Sequence, residues 1–254
     1  ARVRVVNSGV PGENTVEGWR GVQDITIHHN LFVHNSHRNP GLGSLHTQII
    51  NNVMYNWGPR AAETWRDINV DWIGNYFKPG PMSTPGRLLV HVAYPPDQPL
   101  NPWPAPSLFI DGNLSPPEFA DPAADNWPMY RIHYLFTPLP DEFRRAEPLP
   151  FTAVPVQIHT AEEAYENVLS DVGANARLSC DGVWLSNEDE VDQRLIGDVQ
   201  RGEGPERRPI AEAGEVGGLP GLDSGTPCAD ADGDGMPDEW EQSYPRLDPR
   251  KNDA

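Results

Sequence analysis

The chain has 254 residues, a formal net charge of −18, 28 prolines, 23 glycines and only 19 lysines and arginines. That charge excludes the basic face a phosphate backbone needs, so nucleic acid is not an expected partner, and no apolar run approaches the ~20 residues that span a bilayer. Abundant Pro and Gly disfavour long helices, so strands, turns and loops should dominate.

In chain order, the first feature is the start itself. The chain opens at Ala1-Arg-Val-Arg-Val without Met or a signal peptide, and it closes at Pro249-Arg-Lys-Asn-Asp-Ala254. It reads as a piece of a longer protein. Next comes a phrase repeated four times: Ile25-Thr-Ile27-His-His-Asn30, Gln48-Ile-Ile50-Asn-Asn52, Val70-Asp-Trp-Ile73-Gly-Asn75 and Leu108-Phe-Ile110-Asp-Gly-Asn113. The closing Asn recurs after 22, 23 and 38 residues. A period near 22 suits one coil of a parallel β-solenoid, in which equivalent residues stack from coil to coil. Strands are expected over 25–32, 49–55, 70–77 and 108–112. Asn30, Asn52, Asn75 and Asn113 should form an amide ladder, each taking a left-handed bend. The Pro-rich segment 78–106 reads as one coil plus a surface loop. The solenoid core then covers about 1–118.

Residues 119–158 are Pro-rich and aromatic (Trp127, Tyr130, Tyr134, Phe136, Phe143, Phe151) and read as a segment packed along the outside of the solenoid. A helix should begin after Thr160, with Glu163 completing a capping box and Gly173 beyond its end. Its stripe of Ala161, Ala164, Tyr165, Val168 and Leu169 would cover the end or side of the stack. The expected division is 1–202 for the β-helix with its covering segments, 203–227 for a Gly/Pro/Glu-rich linker, and 228–254 for a separate tail. Cys180 and Cys228 are the only cysteines. They would close one disulfide in an exported protein and be free thiols in a cytosolic one.

The tail carries Asp230-Ala-Asp232-Gly-Asp234-Gly235-Met236-Pro-Asp238-Glu-Trp-Glu241. This matches an EF-hand-type calcium loop at each ligand position. Asp230, Asp232, Asp234 and Asp238 offer carboxylates, Met236 a backbone carbonyl, Glu241 a bidentate carboxylate, and Gly235 permits the turn. Hard oxygens at this density point to Ca²⁺.

His28-His29-Asn30, then Arg38-Asn39-Pro40, then Asn51-Asn52 occur in that order and at coil spacing. With Trp72-Ile-Gly-Asn75-Tyr-Phe-Lys78-Pro and Ala161-Glu-Glu-Ala-Tyr165, they resemble the pectate lyases of polysaccharide lyase family one. The resemblance implies an all-β fold, a right-handed single-stranded parallel β-helix with a peripheral helix and the calcium-loop tail. It implies a secreted bacterial monomer acting on an acidic polysaccharide, polygalacturonate or pectin, by calcium-assisted β-elimination. It maps the catalytic base onto Arg38. A guanidinium normally stays protonated, so Arg38 acts either as a base with a strongly depressed pKa or as a stabiliser of the enolate. The second arginine that family members place after the Pro is Gly41 here. Arg60 and Lys78 are the candidates to replace it, with His46 and Trp57 as further substrate contacts. Trp57, Tyr55 and Tyr76 line either a sugar groove or the core. The family's catalytic calcium ligands are expected in coils before Ala1, because Asp24, Asp67 and Asp71 do not match those motifs. The chain alone would then lack part of the site. His28 and His29 should point to opposite faces of a strand. Two alternatives stand beside the lyase: a non-catalytic carbohydrate-binding or adhesin solenoid, and a pectin-degrading hydrolase. The hydrolase needs convergent carboxylates, and Asp71 and Asp111 sit at different offsets from their ladder Asn.

Overall fold

The computed structural model describes residues 23–43, 45–65, 68–84, 90–93, 105–132, 137–150, 155–206, 212–221 and 225–253. Asp67, Tyr134, Phe136 and Phe151 lie outside them. The strands build three parallel sheets, and successive coils give one strand to each. The first sheet stacks β1 (Gln23–His28), β4 (Leu45–Ile50), β7 (Asn69–Ile73) and β10 (Ser107–Asp111). The second stacks β2 (Leu31–Val33), β5 (Val53–Tyr55) and β8 (Tyr76–Lys78). The third stacks β3 (Gly41–Leu42), β6 (Ala62–Trp65), β9 (Val90–Ala93) and β11 (Tyr130–Ile132). This arrangement is that of a parallel β-helix. Like residues stack, as the repeat requires: Ile27 on Ile49 on Trp72 on Ile110, and Phe32 on Met54 on Phe77. These side chains fill the interior with Leu42, Val90, Val92 and Tyr130.

The repeated phrase is not one strand, as the sequence suggested, but two strands with a bend between them. The left-handed residue is also not the ladder Asn. It is the residue before it: His29 at φ 52°, Asn51 at 52°, Gly74 at 57° and Gly112 at 63°. That bend turns the chain from the first sheet into the second and leaves the next Asn pointing along the stack. Asn30 donates to Asn52 at 2.9 Å, Asn52 to Asn75 at 3.1 Å, and Asn75 to Asn113 at 2.8 Å. A fifth rung, Asn126, accepts from the Asn113 backbone; it has no repeated phrase around it. Gly74 is required at its bend, because a Cβ there would lie 2.5 Å from the Asn51 amide nitrogen. Asn51 in turn exchanges two 2.8 Å hydrogen bonds with the backbone of His159 and so fixes the entry to the covering helix.

Residues 90–93 supply β9, a strand of the coil expected inside the Pro-rich stretch. One segment lies deeper than expected. Trp127, Met129, Tyr130 and Phe143 do not run along the outside; they are buried in the main core, and β11 extends the third sheet. The helix α1 (Ala161–Ser170) begins with the Thr160–Glu163 capping box and buries Ala161, Ala164, Val168 and Leu169. It lies beside β5 and β8, so it covers a side of the stack. A second helix, α2 (Glu190–Arg201), has no counterpart in the sequence reading. Leu195, Ile196 and Val199 pack with Leu169 and Tyr165 over Val33 and Tyr55. Gly197 inside it made the helix hard to read, since Gly disfavours a helix interior. No helix among the described residues is long and apolar enough to cross a membrane.

The chain divides into two compact units: Ala1–Val172 with Leu195–Ala211, and Gly173–Arg194 with Glu212–Ala254. This differs from boundaries at 202 and 228, because Gly173–Arg194 groups with the tail. In that second unit an antiparallel hairpin, β12 (Ala176–Leu178) and β13 (Trp184–Ser186), is tied by the Cys180–Cys228 disulfide to the acidic loop, which ends in α3 (Asp238–Glu241).

Candidate functional site

Arg38 lies on the turn that leads into β3. Its backbone is left-handed at φ 65°, and a cis peptide joins Asn39 to Pro40. The Asn39 backbone N–H and side-chain amide both donate to the Ala61 carbonyl, at 2.8 and 3.0 Å. This pairing sets Arg38 over Arg60 in the next coil, 22 residues on. Both arginines converge on one buried carboxylate. Arg38 Nε donates to Glu63 Oε2 at 3.0 Å, and Arg60 donates to the same oxygen through Nε at 2.9 Å and a terminal nitrogen at 2.6 Å. The Arg38 guanidinium also lies 5.0 Å from the centre of the Trp65 ring. Its side chain is 49% exposed, against 15% for Arg60. Arg38 is therefore the accessible member of the pair, and Arg60 is the inner one.

Gly41 stands tight against its neighbours. A Cβ at Gly41 would lie 2.9 Å from the Trp65 indole and 3.1 Å from Arg38 Cβ. Trp65 occupies the space a longer residue would need, and Arg60 stands beside Arg38 on the same Glu63 oxygen. In the third sheet, Gly41, Glu63, His91 and Arg131 stand in register on successive strands, a polar column beside the arginine pair. Glu63 and Trp65 were missed in the sequence. Their signal was the alternation Ala62-Glu63-Thr64-Trp65, which puts Glu63 and Trp65 on one face of a strand.

The other candidates do not join this site. Trp57 is a core residue, 2% exposed and edge-on to Phe77, so it offers no face to a sugar. Lys78 Nζ donates to the Val199 carbonyl at 2.6 Å and to the Tyr165 hydroxyl at 3.1 Å. It closes the carboxyl end of α2, where helix carbonyls attract a cation. Tyr55 is buried, donates to the Glu203 carbonyl at 2.6 Å, and has its hydroxyl pushed up to about 12 mainly by burial. Tyr76 stacks on Tyr165 with ring centres 4.8 Å apart. His46 pairs with Asp24 at 3.2 Å and lines a shallow cleft of about 110 Å³ on the first sheet with Thr26, Gln48 and Leu149.

His28 and His29 do not take opposite faces, because the bend at His29 breaks the alternation. Their Nδ1 atoms are 3.0 Å apart, and His29 stands edge-on to His159. Burial and these two neighbouring imidazoles lower the His29 pKa. Asp71 is fully buried and takes hydrogen bonds from Gln48, the Leu149 backbone and Arg145. Its register partners are Gln48 and Phe109, while Asp111 stands opposite Ile73. Asp71 and Asp111 thus do not converge as a hydrolase pair.

In the second unit, Asp230, Asp232 and Asp234 place ligand oxygens within 4.8 Å of one another. Glu241 is fully buried nearby in sequence, with neither oxygen hydrogen-bonded. Asp238 closes the loop by accepting from the Ala231 backbone at 2.8 Å.

No protein-family model matches the chain. It is similar to curated fungal proteins named probable pectate lyase C: 29% identical over 85% of this chain to that of Aspergillus terreus, and 28% over 91% to that of Neosartorya fischeri. The protein of that name from Emericella nidulans is 28% identical over 85% of the chain. The chain covers 46%, 49% and 45% of these proteins in turn, about half their length. A pectate lyase-like chain is thereby supported. The expected bacterial source is not, since these relatives are fungal.

Proposed function

We propose that this chain forms the β-helical part of a polysaccharide lyase that cleaves polygalacturonate by β-elimination, with Arg38 at the reacting carbon. The observation that carries the reading is Arg38 standing over Arg60 at the mouth of β3, in a chain similar to probable pectate lyases along most of its length. In the elimination the C5 proton leaves, the C4–O bond breaks, a C4–C5 double bond forms, and the departing oxygen gains a proton from solvent. A cation beside the uronate carboxylate acidifies the C5 proton; Ca²⁺ is the cofactor assigned to that task. Among the described residues, the one group of three acidic ligands lies in the tail unit. Arg38 is assigned as the base and Arg60 as the inner cation holding the arginine pair. We assign the winding as right-handed, the hand that parallel crossovers take, and the protein as exported, a compartment in which the Cys180–Cys228 disulfide persists.

A second reading of Arg38 is favoured by Glu63. A guanidinium seated on a buried carboxylate suits a permanent cation that stabilises the enolate rather than a proton acceptor. Steady-state assays on the whole protein, following ultraviolet absorbance of the unsaturated uronide, test both. If Arg38 is the base, Arg38→Lys and Arg38→Ala both lose kcat by on the order of 10³-fold with little change in KM. If it is a cation clamp, Lys restores most of the rate. No unsaturated product from the whole protein would refute the lyase and leave a carbohydrate-binding solenoid.

A further inference from the structure

The lyase reading makes no use of Glu241. This carboxylate is fully buried, and neither oxygen meets a hydrogen-bond donor. A buried carboxylate without a partner is strongly disfavoured. Here like charge adds to the penalty, because Asp232, Asp234, Asp238 and Asp253 are the groups acting on it. Asp232 Oδ2 is also buried without a partner. Lys251, in the segment that follows α3, is paired with Asp253 at 2.7 Å. What these orphaned oxygens lack is a small, hard cation.

A second contact joins this loop to the hairpin. Trp240, next to Glu241 on α3, lies so close to the hairpin turn that a Cβ on Gly182 would be 2.5 Å from its ring. Gly182 also has φ 82°, where a side chain is strained. The disulfide joins Cys180, two residues before Gly182, to Cys228, two residues before Asp230. Both sides of the Trp240 contact are therefore anchored.

We propose that the tail unit binds one Ca²⁺ through Asp230, Asp232, Asp234, Asp238, the Met236 carbonyl and a bidentate Glu241, and that this ion secures α3 and, through Trp240, the β12–β13 hairpin. Six to eight oxygen ligands suit Ca²⁺, and ligand charge sets its affinity. The site is independent of the polysaccharide chemistry. It serves as a clamp on the hairpin, not as a catalytic metal.

The test uses the full chain without polysaccharide. Tb³⁺ replaces Ca²⁺, and tryptophan-sensitised luminescence reports its approach to Trp240. One saturable site is expected, displaced by Ca²⁺. Glu241→Gln and Asp232→Asn should each weaken it by on the order of a hundredfold, the scale on which ligand charge tunes such loops. Ca²⁺ should raise the thermal midpoint of the wild type and fail to raise that of either variant, with circular dichroism confirming that the β-helix is intact. Gly182→Ala should also weaken Ca²⁺ binding by pushing Trp240 aside. Absence of a site in the wild type, or a site indifferent to Glu241→Gln, overturns the proposal. Unchanged affinity in Gly182→Ala overturns the coupling to the hairpin. Since no sugar is present, failure here leaves the lyase reading standing, and failure of the lyase leaves the site standing.

Discussion

Asn75 is the middle rung of the amide ladder, and its replacement by Ala should be among the most damaging single changes in the β-helix. The side chain is fully buried. Its oxygen accepts from the Asn52 backbone at 2.9 Å and from the Asn52 amide at 3.1 Å. Its nitrogen donates to the Ile49 carbonyl and to Asn113, both at 2.8 Å. After truncation the Asn52 amide still reaches the Ile27 and Ile50 carbonyls, and Asn113 still accepts from the Asn75 backbone. The Asn52 backbone N–H loses its side-chain acceptor and the Ile49 carbonyl loses a donor. The stranded Asn52 N–H at about 1–3 kcal/mol and the lost bonds to Ile49 and Asn113 at about 0.5–1.5 kcal/mol each give roughly 2–6 kcal/mol, a large share of a typical total of about 5–15 kcal/mol. Asn30→Ala is the control. That rung is half-buried, and its loss leaves Asn52 Oδ1 with the Asn30 backbone N–H. Urea unfolding followed by tryptophan fluorescence reads the difference, because buried Trp72 lends its carbonyl to Asn113. If Asn75→Ala costs no more than Asn30→Ala, the ladder does not hold the coils together and the reasoning fails.

Three further changes probe the remaining assignments. Trp57→Ala should cost about 3–5 kcal/mol in urea unfolding, as expected for removing a core aromatic; a pure rise in KM with unchanged stability would restore its role as a sugar platform. Lys78→Met should speed amide hydrogen exchange in α2, whose last carbonyls it holds, while leaving lyase KM unchanged; a KM effect without faster exchange would return Lys78 to the substrate. The His29 pKa is lowered in the fold, so the folded chain binds fewer protons there than the unfolded one. Its contribution to stability is present above the ordinary value of 6.5 and is lost as the pH falls from there through the lowered value. His29→Asn keeps a residue that tolerates φ 52° and should flatten that loss in thermal unfolding measured either side of 6.5; an unaltered pH dependence would place its origin elsewhere.

The local sequence determined what depends on spacing and residue type. The 22- and 23-residue repeat set the strand register, because a parallel stack brings residue i against its equivalent one coil later and rewards like apolar side chains there. Thr160 and Glu163 specified the start of α1, since a capping box needs only four consecutive residues. The tail carboxylates were legible for the same reason. Tertiary structure decided what depends on meetings between coils. The bend fell on His29, Asn51, Gly74 and Gly112 because the neighbouring Asn must point along the stack, and no single phrase shows that. Trp57, Lys78 and Tyr55 were candidates for a sugar groove in sequence, but the core claimed Trp57 and the carboxyl end of α2 claimed Lys78 and Tyr55. Arg38 was found from its motif, while its partners Arg60, Glu63 and Trp65 came from the next coil. Their meeting rests on a 2.8 Å hydrogen bond from Asn39 to Ala61, a contact that exists only once the coils are stacked.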